Sequence, residues 1–141
     1  MRATGAGLRA ALSRPVDAAS LAAFRVLYGT MLIIAILRAL EKGVVAQAFI
    51  APQVFFRQYG LGFLPPPGAW AYALYGVACA LALCIVLGLH TRLAAGAFCL
   101  TFSYLHFLDL TNYLNHYYLV ALLTGLLAIV PIGDIARVHG P

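Results

Sequence analysis

Residues 18–37 read AASLAAFRVLYGTMLIIAIL, a run in which Arg25 is the one charged residue. An α-helix rises about 1.5 Å per residue, so about 20 apolar residues cross the hydrocarbon core of a bilayer. A helix of this composition has no polar face to turn toward water. The stretch therefore predicts a transmembrane helix, and it sets the fold class for the chain.

The composition of the whole chain agrees with a membrane location. Of its 141 residues, 64% are hydrophobic and 9% are charged, and the mean hydropathy is +0.94. A soluble domain carries roughly 25% charged residues. The nine Lys and Arg residues are scattered between the apolar runs, a pattern typical of topogenic charge and of contact with anionic lipid. We expect the lipid bilayer as a partner and no nucleic acid.

Three more apolar runs predict three more spans, at residues 70–89, 93–108 and 116 or 117–132. The connection before the second span contains Pro52 and ends in three consecutive prolines, which cannot lie inside a helix. We predict an all-α integral membrane protein with four transmembrane helices in a bundle, and an interfacial or re-entrant segment between the first and second spans. The tight turn that precedes the third span makes spans two and three antiparallel neighbours.

The predicted organisation is a basic arm at residues 1–16, a four-span membrane domain at 17–133 and a short tail at 134–141. Basic residues are more frequent on the side of the two termini, where there are five, than on the other side, where there are three. The positive-inside rule then predicts that both termini are cytoplasmic. The five basic residues on the side of the termini are Arg2, Arg9, Arg14, Arg92 and Arg137, and the three on the other side are Arg38, Lys42 and Arg57.

A polar and aromatic segment, DLTNYLNHYY at residues 109–118, separates the third and fourth apolar runs. Asn115 occupies the natural N-cap position of the fourth span, so His116 falls in the first turn, where the helix dipole disfavours an imidazolium. A neutral imidazole at a water-accessible rim can act as a base or as a hydrogen-bond partner for a quinone oxygen. The alternative is that Asn115 caps the helix while His116 and the tyrosines form an interfacial aromatic belt.

Two other polar positions leave alternatives open. His106 and Asp109 are three residues apart and share a helix face, so they either pass a proton or form a hydrogen-bonded pair at the helix end. Two ligands are too few for a zinc site, and we predict no metal. Arg25 lies about two turns inside the first span, where it either extends to the nearer interface or faces Asp17 or a ligand.

Four segments together resemble the membrane domain of vitamin K-dependent gamma-carboxylase and its bacterial homologues, the HTTM proteins. The resemblance covers residues 15–131 and implies the inner membrane of a bacterium. It also implies a multi-span enzyme in which a membrane-boundary base deprotonates a reduced quinone. Oxygen then converts the quinone to a stronger base, and a deprotonated glutamate γ-carbon captures carbon dioxide. The segments are 17–29, 58–60 with the prolines that follow, 87–92 and 109–119.

The family's catalytic base is a lysine in an Asp-Lys-Thr sequence just before the Asn-His motif, and the matching position here is Leu110. A leucine cannot take the role of an amine base. The family's enzymes also continue into further spans and a lumenal substrate-binding domain. We therefore expect a carboxylase-like scaffold without carboxylase activity in isolation, binding a reduced, vitamin K-like quinone.

The candidate catalytic residues are His116 and Asp109, and the candidate cofactor-binding residues are Arg25, Asn115, His116 and Tyr117. Two alternatives remain at this stage. The Gly-Leu-x-Thr-Arg turn and the chain length also resemble small DoxX-type membrane proteins, which act as subunits of quinol-linked or other membrane complexes. The chain could also be a fragment of a split HTTM protein. Both alternatives predict a membrane or lumenal protein partner.

Overall fold

A computed structural model describes residues 18–56, 60, 62–107 and 115–130. This part of the chain is helical throughout its regular structure and contains no strand, which confirms the predicted all-α class. The α-helices are α1 (Ala18–Glu41), α2 (Trp70–Leu87), α3 (Thr91–Phe107) and α4 (Asn115–Ile129), and a π-helical turn (Ala46–Ile50) lies between α1 and α2.

The helix boundaries follow local chemistry. Helix α1 continues past Leu37 to Glu41, because Arg38 to Glu41 are strong helix formers even where the apolar run ends. Helix α2 begins at Trp70, after the three prolines, as predicted. It ends at Leu87, and the residue that follows, Gly88, has a left-handed φ of 76°. The N–H groups of Gly88 and Leu89 donate to carbonyls of the last turn. This is the glycine-ended stop that lets α3 begin within a few residues.

The helices pack in chain order, α1 on α2, α2 on α3 and α3 on α4. They run antiparallel, so the bundle has two ends. We call the end that contains the turn between α2 and α3 the Gly88 end, and the end where α3 stops and α4 starts the His116 end. Helix α1 also reaches α4, because the Tyr28 hydroxyl lies 2.8 Å from Oγ1 of Thr124.

The connection between α1 and α2 is anchored to the bundle at the His116 end. The π-helical turn buries Phe49, whose ring meets Tyr75 of α2 edge-on at 6.4 Å. Further along, the Tyr104 hydroxyl of α3 donates a hydrogen bond to the Pro65 carbonyl at 2.6 Å. Five residues of π-helix are too short to cross a bilayer, and the predicted interfacial or re-entrant position of this segment stays a prediction.

Among the described residues, two helical stretches, 19–41 and 70–87, are long and apolar enough to cross a membrane. Helices α3 and α4 have 17 and 15 residues, at or below the lower end of the usual range of about 17–25. Large apolar side chains face outward on every helix, as Leu27, Val77, Leu100 and Leu126 illustrate. A water-soluble monomer rarely exposes apolar surface on this scale.

Candidate functional site

A cavity of about 520 Å³ lies inside the bundle, between all four helices. This volume falls within the range of about 300–1,000 Å³ that is usual for small-molecule sites. Its α1 wall runs from Tyr28 to Ala39 and its α4 wall from His116 to Leu123. The cavity therefore occupies the half of the bundle that is nearer the His116 end.

The Gly88-end limit of the cavity is a hydrogen-bonded contact between α1 and α4. Thr124 donates to the Val120 carbonyl of its own helix at 2.6 Å. The Tyr28 hydroxyl lies 2.8 Å from Thr124 Oγ1 and 3.0 Å from the same carbonyl, and the ring of Phe24 stacks on the Tyr28 ring at 5.5 Å. All three polar groups of this contact are satisfied, so it closes the cavity without leaving an unpaired atom in apolar surroundings.

On the His116 side of this contact, the cavity opens to the surface of the protein between α1 and α4. Met31 of α1 and Leu119 of α4 both line the cavity, and they are 49% and 55% exposed. Both side chains are apolar, so the opening is suited to a hydrocarbon chain and not to a water-soluble ligand.

The other limit of the cavity is a cluster of aromatic and imidazole rings. The His106 ring stacks on Phe102 at 4.0 Å and meets Tyr117 edge-on at 4.3 Å, and Tyr117 meets His116 edge-on at 4.5 Å. Tyr75 approaches His106 from α2 with a ring separation of 6.3 Å. Four of the five rings can offer polar atoms to a ligand, in a cavity whose other walls are mainly apolar.

The protonation pattern of His106 follows from its backbone contact. Its Nδ1 lies 3.0 Å from the Phe102 carbonyl oxygen. A carbonyl only accepts hydrogen bonds, so this contact requires the proton on Nδ1 and leaves Nε2 of the neutral ring as an acceptor. His106 is 9% exposed, so few other partners compete for that nitrogen.

The structure brings some of the sequence-predicted residues together and separates others. His116 and Tyr117 line the cavity, whereas Asn115 is an exposed first residue of α4 outside the lining. Arg25 packs against Gly88 at the opposite end of the bundle. Asp109, together with Leu110, lies outside the described residues, so the predicted pairing of Asp109 with His106 stays a prediction.

Sequence reasoning missed three polar residues. Tyr28 and Tyr75 line the cavity, and Thr124 lies at its Gly88-end limit. Each interrupts an otherwise apolar run, and a polar group inside a membrane segment needs a partner or a ligand. These three interruptions could therefore have been recognised from the sequence. The pairing of Tyr28 with Thr124 could not, because it depends on how α1 and α4 are rotated toward each other.

We expect the variant Tyr28→Phe to fold with a modest loss of stability. The change removes the contact between α1 and α4 but leaves Thr124 bonded to its own helix, so no buried group becomes unpaired. Hydrogen bonds between membrane helices contribute about 0.6 kcal/mol on average. Thermal unfolding in detergent should show a small downward shift of the midpoint. A loss of folding would mean that the contact does more than join two helices.

Comparison with known protein families supports the architecture. No solved structure matches the chain. The family model described as the HTTM domain matches residues 13–139, a range that includes all four helices and both ends of the cavity. The match covers most of the chain and agrees with the resemblance seen in its sequence segments. The chain belongs to the HTTM domain family.

Proposed function

We propose that this protein is a membrane scaffold that binds a quinone-like lipid in the cavity of the bundle. The observation that carries the proposal is the pairing of an apolar cavity, open between α1 and α4, with a cluster of histidine and tyrosine rings at one limit. A quinone lipid has the same two parts, an isoprenoid chain and a flat ring with two polar oxygens. In this arrangement all four helices cross the bilayer of a bacterial inner membrane, with both termini in the cytoplasm.

The ring cluster suits the head of such a lipid. A flat aromatic ring gains from stacked and edge-on contacts of the kind that Phe102, His106 and Tyr117 already make with one another. Polar oxygens taken into an apolar cavity need hydrogen-bond partners. Nε2 of His106 can accept from the hydroxyl of a reduced quinone, and His116 and Tyr117 line the same cavity.

Binding does not by itself imply carboxylation. The position at which the family resemblance places the lysine base is Leu110, and a hydrocarbon side chain cannot remove a proton. We assign His116 and His106 hydrogen-bonding roles toward the quinol. The chain alone is then a carboxylase-like scaffold that does not carboxylate glutamate.

The direct test is equilibrium binding of a reduced naphthoquinone to the purified protein in lipid nanodiscs. We expect saturable binding, and we expect His116→Ala to weaken it up to about tenfold, because a hydrogen bond of this kind contributes roughly 0.5–1.5 kcal/mol. Tyr118→Ala is the matched control, because Tyr118 is a near neighbour that is 51% exposed and does not line the cavity. Absent binding, or equal affinity of wild type and His116→Ala, would overturn the proposal.

A further inference from the structure

Two buried polar side-chain atoms of the described residues have no hydrogen-bond partner, Nε of Arg25 and Oγ1 of Thr91. Thr91 is the first residue of α3 and is 2% exposed. Buried polar atoms are nearly always paired, because an unpaired one costs about 1–3 kcal/mol. Both atoms belong to the Gly88 end of the bundle, so two donors without partners occur at the same end.

The guanidinium of Arg25 lies directly against the turn that leads to Thr91. A Cβ on Gly88 would be 2.7 Å from Nη1 and 3.0 Å from Cζ of Arg25, so the guanidinium is in close contact with the backbone of the turn. The Gly88 and Leu89 N–H groups occupy the carbonyls of Ile85 and Cys84 at the end of α2. The guanidinium therefore contacts the turn, while its Nε makes no hydrogen bond.

A second arginine lies at the same end. Nε of Arg92 donates to the Ala128 carbonyl of α4 at 3.2 Å. The contact between Tyr28 and Thr124 holds α1 and α4 together about one helical turn deeper, so Arg25 and Ala128 are at a similar depth in the bundle. The described part of the chain has one acidic residue, Glu41, at the opposite end of α1. Among these residues, the charges at the Gly88 end are all positive.

We propose that the Gly88 end binds a phosphate group, with Arg25 and Thr91 as its ligands and Arg92 adding positive charge. A guanidinium offers several N–H donors in one plane and pairs well with phosphate oxygens. The Thr91 hydroxyl can donate to the same group. The start of α3 adds the positive end of a helix dipole, which favours an anion.

A phospholipid is the source of phosphate that this surface fits. Leu89 and Leu93 lie on either side of Thr91 in sequence and are 54% and 73% exposed, so apolar surface adjoins the proposed phosphate site. Acyl chains can cover such surface, whereas free phosphate cannot. A phospholipid and free phosphate present the same anionic group, so the experiment must distinguish between these two sources.

Native mass spectrometry of the detergent-solubilised protein provides that separation, with three probes. These are phosphatidylglycerol, diacylglycerol with the same acyl chains, and inorganic phosphate. We expect bound phosphatidylglycerol, no comparable retention of diacylglycerol, and no displacement of the lipid by millimolar phosphate. Arg25→Gln should weaken retention about tenfold, as expected for loss of a charge-assisted contact. Arg38→Gln is the matched control, because Arg38 is an exposed arginine near the other end of α1.

Two more variants keep the test decisive if Arg25→Gln folds poorly. Arg25→Lys retains the charge but not the planar donors, and Thr91→Val retains the shape but not the hydroxyl, so each should weaken retention several-fold. Full retention by the folded variants, or equal losses in Arg25→Gln and Arg38→Gln, would overturn the proposal. Displacement by inorganic phosphate alone would overturn the lipid as the source. None of these outcomes bears on the quinol cavity, which lies in the other half of the bundle.

Discussion

Replacing Gly29 with leucine is expected to destabilise the bundle by more than about 3 kcal/mol, beyond the usual range for overpacking. A Cβ at this position would lie 2.6 Å from Cγ2 of Val86 and 3.3 Å from both the Ala82 oxygen and the Val86 nitrogen. A side chain can rotate away, but the backbone of α2 cannot move without separating the helices. Small residues at such crossings are the usual way in which membrane helices approach closely.

The same substitution at Gly76 is the matched control. Gly76 lies on α2, within the apolar stretch 70–87, and a Cβ there would meet nothing within 4 Å. Gly76→Leu should unfold at or above the wild-type temperature, and Gly29→Ala should fall between the wild type and Gly29→Leu. Differential scanning fluorimetry in detergent provides the comparison. Equal unfolding temperatures for the two leucine variants would show that the α1–α2 crossing adapts, against the prediction.

The helices were largely predictable because apolar runs and their breakers are local features. The prolines at 65–67 predicted the start of α2, and the turn at Gly88 predicted the antiparallel pair formed by α2 and α3. The end of α1 was less accurate, since Arg38 to Glu41 favour a helix although they are not apolar. Hydropathy indicates where a membrane segment lies, but a helix can continue past the end of the apolar run.

Packing between helices was much less predictable. Helices that are apolar on nearly every side carry little information about which face turns inward. The partners Tyr28 and Thr124, and the approach of Tyr75 to His106, therefore emerged only from the structure. The sequence did single out His116 and Tyr117, which line the cavity, because a polar segment between two apolar runs stands out in any case.

The position of Arg25 shows how topology could have improved the sequence interpretation. In a bundle of four antiparallel helices, the first helix starts at the end of the bundle where the third starts and the fourth ends. Arg25, near the start of α1, therefore could not lie beside Asn115 and His116 at the start of α4. The structure accordingly places Arg25 at Gly88, outside the lining of the cavity.

Filling the cavity is expected to have the largest effect on ligand binding. Ala78 of α2 lines the cavity and is 3% exposed. Ala78→Phe would add a benzene ring inside the cavity, and we expect the resulting overlap with a bound ligand to lower naphthoquinol affinity by at least about 100-fold. Occupying cavity space can also stabilise a protein, by roughly 0.5–2 kcal/mol. Affinity should therefore fall while the unfolding temperature is held or raised.

Ala80→Phe makes the same change on an exposed position of α2 outside the cavity lining, and it should leave quinol affinity and folding near wild type. Both variants are measured by naphthoquinol binding and thermal unfolding in the same nanodiscs. Undiminished affinity of a folded Ala78→Phe protein would place the ligand elsewhere. Lost affinity in a protein that unfolds no earlier than wild type cannot be due to misfolding, so this combination would assign the quinol to the cavity.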